Sequence, residues 1–482
     1  MFRTVTADEA GLNPAHINKF IDLLERNGNN MHSMLMMRGD DVFCEVYWEP
    51  YTRDSLQRMY SETKSFVSVA IGLLVADGLI SLDDPICKYF SDKIDGELHP
   101  YMAKQTIRDN LMMRTCADTP KWFGNPDHDR VHLYFNGSKI IRPAGTIWKY
   151  DSAGSQVLAA LVERVSGMSL FEFLKKRLFD KMGYFENAMM LSTPTGECWG
   201  DSSMICTLRD VAAFGRLVMN YGKWEGKQVV NEDYLRTAVS NLTDNAESGF
   251  HGYRSCGYGY QIWRTEHNGF AFFGMGNQLT ICLPDYNFLF SCTADDQGNA
   301  SSRQVLMNGL FDLIVDNLDK NETKKSEEAI PPLKLRSAQG MKSVPILEEL
   351  NGQCYTCEEN PTGIKEFSLT FNDDTVKFSY QNETGMHDIT CGLCRNEFTF
   401  FPETGQPDLV GDVPSPGHQY RCAASAAWRC DNKLELQIRI IDKYLGNITF
   451  YFGFIDDYCS VNIVRNTEAF LEKYEGTFTA KK

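Results

Sequence analysis

A serine hydroxyl is a weak nucleophile until a base beside it takes its proton, so a catalytic serine comes with a partner at a fixed spacing. Ser61-Glu62-Thr63-Lys64 is the one Ser-x-x-Lys tetrapeptide among the 482 residues. Three positions apart on a helix, the two side chains share a face and the amine reaches the hydroxyl. At a helix start the hydroxyl also meets the positive end of the dipole, and unpaired N–H groups there can hold an oxyanion. Lys64 becomes a base near neutral pH only where burial or a neighbouring cation weakens its hold on the proton. Alone, the tetrapeptide more often describes a capping serine beside a solvated lysine. The histidine-based alternative lacks its elbow: Gly167-Met168-Ser169-Leu170-Phe171 is short of the second glycine of G-x-S-x-G.

The elements that must position these residues are legible around them. Phe66, Val67, Ala70, Ile71, Leu73, Leu74 and Val75 recur at helical spacing and Gly78 supplies a stop, so Ser61 and Lys64 fall on a first turn. A second helix runs from about Ala153 to Val165 and stops at Gly167, which leaves Tyr150 on the loop before it.

The stretch Ser61 to Phe66, followed by Ile71 to Pro85, resembles the nucleophile helix of the serine β-lactamase-related, penicillin-binding-protein-like hydrolases, in the branch of class C β-lactamases, esterases and D-aminopeptidases. Pro143 to Gly154 resembles the same family, with Tyr150-Asp151-Ser152 on its Tyr-x-Asn/Ser element. Gly167 to Leu174 and Ser203 to Gly215 look like further landmarks of it. Tyr134-Phe135-Asn136 and Tyr380-Gln381-Asn382 also fit the element; the flanks of Tyr150 match and those of Tyr134 do not. The resemblance spans roughly residues 10 to 318. It implies that Ser61 attacks a carbonyl, that Lys64 and Tyr150 share its proton, that Ser152 supports Tyr150, and that water releases the acyl group.

The third family element, Lys/His-x-Gly on a strand, is where the chain departs. Phe272-Phe273-Gly274 aligns best, with Phe272 in the basic position. That removes a cation for a substrate carboxylate and favours esterase chemistry over carboxypeptidase or β-lactamase chemistry. That alignment implies that Gly274 lets the backbone approach and that the Met275 N–H completes an oxyanion hole with that of Ser61. Trp122, Phe123, Trp148, Phe272 and Phe273 are candidate walls of an apolar acyl pocket. His267 could supply the missing cation, or be a surface turn residue.

A net charge of -16 argues against nucleic acid as a partner. No run of 18 apolar residues and no leader-like start are present, so a cytoplasmic protein without a membrane span is expected. Fifteen scattered cysteines fit reduced thiols, and Cys354-x-x-Cys357 with Cys391-x-x-Cys394 is a weak zinc pattern. No metal or organic cofactor is expected, and the partner is a small ester, amide or peptide.

The expected fold is α+β. Residues 1–320 form a β-lactamase/transpeptidase-like domain, an antiparallel sheet flanked by helices plus a helical cluster. Residues 321–345 form a linker, and 346–482 a β-barrel, lipocalin-like accessory domain. That last expectation rests on period-two runs such as Leu434, Leu436, Ile438 and Ile440. Function reads as ester or small-amide hydrolysis. The alternatives are D-aminopeptidase, amidase or β-lactamase activity, or a silent binding protein of the same fold.

Overall fold

The structure, a computed structural model, describes residues 2–246, 256–320, 330–403, 419–442, 444–467, 471 and 473–482. The chain divides into two compact units, Met1–Lys334 and Leu335–Lys482.

The first unit is built on a seven-stranded sheet. Its strands are β1 (Arg3–Thr4), β2 (Met31–Arg38), β3 (Asp41–Tyr47), β4 (Trp263–Arg264), β5 (Phe270–Phe273), β6 (Leu279–Leu283) and β7 (Phe288–Ala294), in the order β1-β3-β2-β7-β6-β5-β4. All pairs are antiparallel except β1 with β3. Strands β6 and β7 are buried on both faces, which is why they read as apolar runs and not as alternation. One face packs on α1 (Pro14–Asn27), while the helices inserted between β3 and β4 cover the other.

Those inserted helices include α2 (Thr63–Ala76), α3 (Arg130–Asn136), α4 (Ser152–Ser166) and α5 (Leu208–Met219); α6 (Ser302–Gly309) follows β7 and joins α1. The apolar stripe expected on the Ser61 helix understates its burial. Twelve of the fourteen residues of α2 are buried, so it is a central helix enclosed on all sides. Helix α5 lies directly on the sheet because Gly215 has no side chain: a Cβ there would come within 2.7 Å of Thr280 Cγ2.

The second unit is a barrel. Its strands are β8 (Cys354–Cys357), β9 (Glu366–Phe371), β10 (Thr375–Asn382), β11 (Gly385–Leu393), β12 (Glu397–Phe400), β13 (Arg421–Cys430), β14 (Lys433–Ile441), β15 (Leu445–Ile455), β16 (Tyr458–Thr467) and β17 (Gly476–Lys481). They run β11-β10-β9-β8-β17-β16-β15-β14-β13-β12, and β11 also pairs with β13. Nine strands therefore close on themselves, with β12 appended. The interior is filled: Leu434, Leu436, Ile438, Ile440, Phe450, Phe452 and Phe454 are buried, and the rings of Phe367, Phe378 and Phe452 touch.

Residues 321–329 of the expected linker lie outside the described residues. Its later part is no linker, because Leu335 and Ala338 are buried in the second unit, where the Ala338 N–H donates to Ser425 Oγ at 2.9 Å. No helix among the described residues is long and apolar enough to cross a membrane.

Candidate active site

Ser61 lies two residues before α2, in a single 3-10 turn, Tyr60–Glu62, that runs into it. Tyr60 has φ 48°, a left-handed conformation that a tyrosine keeps only where its surroundings enforce it. Residues 57–58 pair with 205–206, the Met59 N–H donates to Met204 O at 2.8 Å, and the Met204 N–H donates to Thr63 Oγ1 at 3.0 Å. These bonds lay the segment around residue 201 along the start of α2.

Lys64 is 1% exposed. Its Nζ donates to Ser61 Oγ at 3.0 Å and to Asp201 O at 2.7 Å, with Asp201 Oδ2 at 3.5 Å. The expected burial is present, but the charged neighbour is a carboxylate where a cation was one of the two expected devices. Asp201 is itself 4% exposed. The sequence reading missed it, since a single Asp after Gly200 carries no motif.

Tyr150 is held from both sides. Asp151 caps α4, accepting the Gly154 N–H at 3.0 Å and the Thr115 hydroxyl at 2.7 Å. Burial raises the Asp151 carboxyl above its ordinary range. The Tyr150 ring stacks on Trp263, centres 5.8 Å apart, and the Lys64 Nζ lies 5.1 Å from the Tyr150 ring centre.

Two cavities share Tyr150. The smaller, about 240 Å³, is lined by Ser61, Tyr150, Trp263, Phe273, Gly274, Met275 and Arg303. The larger, about 330 Å³, includes Trp122, Phe123, Lys149, Tyr150 and Ser152 in its wall. Ser61, Tyr150, Phe273, Gly274 and Met275 are thus brought together as expected, whereas Trp122, Phe123 and Ser152 stand across Tyr150 from Ser61. Ser152 opens α4 and makes no hydrogen bond to Ser61 or Lys64 among the described residues.

Two expected pocket walls need correction. Phe272 is fully buried against Phe214 of α5, because alternation along β5 turns it to the helix-covered face and turns Phe273 to the cavity. Trp148 is also buried and backs Tyr150, with its ring 5.5 Å from Trp263 and 5.4 Å from Tyr258. His267 sits at φ 56° in the turn between β4 and β5, against Tyr286 and Phe311. The cavity nevertheless has a cation: Arg303 of α6, unforeseen from sequence, donates through Nε to Asn277 Oδ1 at 2.7 Å and through Nη2 to Gly274 O at 2.6 Å.

Gly274 is required by close approach, since a Cβ would stand 2.3 Å from Met59 O. Gly274→Ala should push the Ser61 turn off the sheet and lower kcat/KM about 100-fold, the effect of roughly 1 Å of misplacement; steady-state kinetics against any turned-over ester checks it. Met275 begins the short turn after β5, so its N–H has no acceptor within that turn.

Glu62 is wholly buried beside Ser61, Oε2 accepts the Thr280 hydroxyl at 3.0 Å, and Oε1 has no partner among the described residues. Burial drives its carboxyl well above the ordinary range, outweighing the Thr280 bond and the Arg303 charge. The unfolded chain releases this proton as pH passes the ordinary carboxyl value and the folded chain keeps it, so rising pH favours unfolding by up to about 1.4 kcal/mol per unit until the folded group ionises. Glu62→Gln should therefore gain stability over the unsubstituted protein between pH 5 and pH 8. Urea melts at the two values check it.

A Ser-x-x-Lys pair at the head of a buried helix, beside an antiparallel sheet and a tyrosine loop, defines the class of serine β-lactamases and penicillin-binding proteins. The family described as Beta-lactamase matches residues 33–306, more than half of the chain, and the chain belongs to that family. Among curated relatives, it is 24% identical to the 6-aminohexanoate-dimer hydrolase of Paenarthrobacter ureafaciens over 235 residues, 45% of this chain and 60% of the relative. It is 28% identical to the lovastatin esterase of Penicillium rubens over 161 residues, 28% of this chain and 40% of the relative. The chain thus spans 60% or less of the length of these two relatives. Among solved structures, SurE with D-Leu aligns over 92% of this chain and 94% of its own at a TM-score of 0.51 and 14% identity, a likeness of fold.

Proposed function

We propose that the protein is a serine hydrolase that opens an ester or small amide through an acyl-enzyme on Ser61. The observation that carries this reading is the buried Lys64 Nζ 3.0 Å from Ser61 Oγ, with Ser61 and Tyr150 lining one cavity. Oγ bonds to the substrate carbonyl carbon while its proton passes to whichever of the Lys64 amine and the Tyr150 oxygen is unprotonated in the reactive form, and the carbonyl oxygen takes the negative charge against the N–H groups of Ser61 and Met275. The C–O or C–N bond breaks as the same pair returns the proton to the leaving group. Water then attacks the acyl carbon, gives up a proton along the same route and frees Oγ. Named relatives that are a dimer hydrolase and an esterase support both bond types.

Arg303 favours a second reading, hydrolysis of an amide or β-lactam that carries a carboxylate, because it places a guanidinium in the wall of the Ser61 cavity. Intact-mass measurement after exposure to a fluorophosphonate and, separately, to a β-lactam tests both. A single adduct absent from Ser61→Ala supports the activated serine, and a β-lactam adduct selects the second reading. No adduct with either reagent would leave a silent binding protein.

A further inference from the structure

The wall of the larger cavity is tied to the Ser61 turn by alternating rings and cations. The guanidinium carbon of Arg58 lies 4.4 Å from the ring centres of both Tyr60 and Trp199. That of Arg130 lies 4.5 Å from Trp199 and 4.2 Å from Trp122. The stacking order is therefore Tyr60, Arg58, Trp199, Arg130, Trp122. Arg58, Arg130 and Trp199 are each 3% exposed. Cations over rings attract more strongly where water is excluded, and a planar guanidinium can serve two faces at once.

Both ends of the stack matter. Tyr60 is the residue held left-handed immediately before Ser61. Trp122 belongs to the cavity wall, and Arg130 opens α3, whose cap Asp129 accepts the N–H groups of Val131 and His132 at 3.1 and 3.0 Å. Ser202, next to the Lys64 partner Asp201, accepts from Arg58 Nε through its carbonyl oxygen at 2.7 Å.

We propose that this ladder is a positioning device that sets the width of the cavity between Trp122 and Tyr150, and that the cavity holds an uncharged apolar acyl chain. Arg130 is the positioning residue and Trp122 the specificity-determining wall. The inference deepens the hydrolase reading and rests on it. Pro120, Trp122, Phe123 and Ala153 give the cavity its apolar surface. Of its charged residues, Lys149 and Asp118 pair with each other at 2.6 Å and Asp151 is spent on the helix cap, while Lys121 stands in the wall beside Trp122. An acyl chain stays through both half-reactions while the leaving group departs and water enters, so the part that stays suits the fixed wall.

The test is kcat/KM for p-nitrophenyl esters from acetate to dodecanoate, with Arg130→Leu, Arg130→Lys and Trp122→Ala checked for fold by circular dichroism. Arg130→Leu should lower the octanoate-to-acetate ratio about tenfold, mainly through KM, and Arg130→Lys should recover part of it. Trp122→Ala should move the optimum to longer chains. An unchanged ratio in folded Arg130→Leu and Arg130→Lys overturns the proposal. Octanoate binding to Ser61→Ala, read by tryptophan fluorescence, separates the two readings. Binding that weakens when Arg130→Leu is added supports the ladder even if no ester is cleaved, and the hydrolase reading then falls alone. No octanoate binding overturns the ladder even if esters are cleaved.

Discussion

Ser61→Ala should remain folded and lose turnover on the order of 10⁴-fold or more, since on the proposed acyl-enzyme route no other group takes over from Ser61. The Ser61 hydroxyl accepts one hydrogen bond, from Lys64, and Lys64 keeps the Asp201 carbonyl and carboxylate after truncation. The expected loss of stability is about 1 kcal/mol, the worth of one hydrogen bond. Ester turnover and urea denaturation, measured on the same preparation, separate the two quantities. Undiminished turnover would move the nucleophile away from the Ser-x-x-Lys pair.

Lys64→Met should cost both activity and stability, for different reasons. Removing the proton carrier lowers kcat by roughly 10²- to 10⁴-fold. Removing the cation also leaves the Asp201 carboxylate buried without its ion-pair partner, a cost of about 3 kcal/mol. Adding Asp201→Asn to Lys64→Met should restore most of the stability and none of the activity. A double variant as unstable as the single one would show that Asp201 does not depend on Lys64 for its charge balance. Melting curves of the two variants decide this, with kcat alongside.

The grouping of Ser61, Lys64 and Tyr150, which the proposal rests on, was legible because each sits in a local pattern: a fixed spacing at one helix start, and a loop directly before the next helix. The α+β layout was legible for a similar reason, since apolar periodicity is a property of neighbours in sequence. Asp201, Trp263 and Arg303 were not. They reach the site through the 57–58 strand pairing, the β4–β5 hairpin and the start of α6, which are tertiary relations without a local signature. Phe272 was assigned to the cavity because the family element was laid on β5 by sequence position, which carries no information on facing. Strand alternation places Phe273, one residue later, on the open side. The linker was drawn on to 345 from the charged stretch 319–332 that ends in Pro331-Pro332, a local signal that says nothing of the packing of Leu335 and Ala338.

The pairing of β2 with β7 joins residues 31–38 to residues 288–294, about 250 residues apart along the chain. Closing a loop of that length has a cost in entropy that no local contact returns until the central strands meet. The helices that follow Ser61 and Tyr150 can therefore form early, while the Gly274 strand that completes the cavity joins only when the sheet closes. Such non-local pairing predicts slow refolding with a collapsed, catalytically incompetent phase, in which the far-ultraviolet signal returns before the Ser61 site becomes reactive.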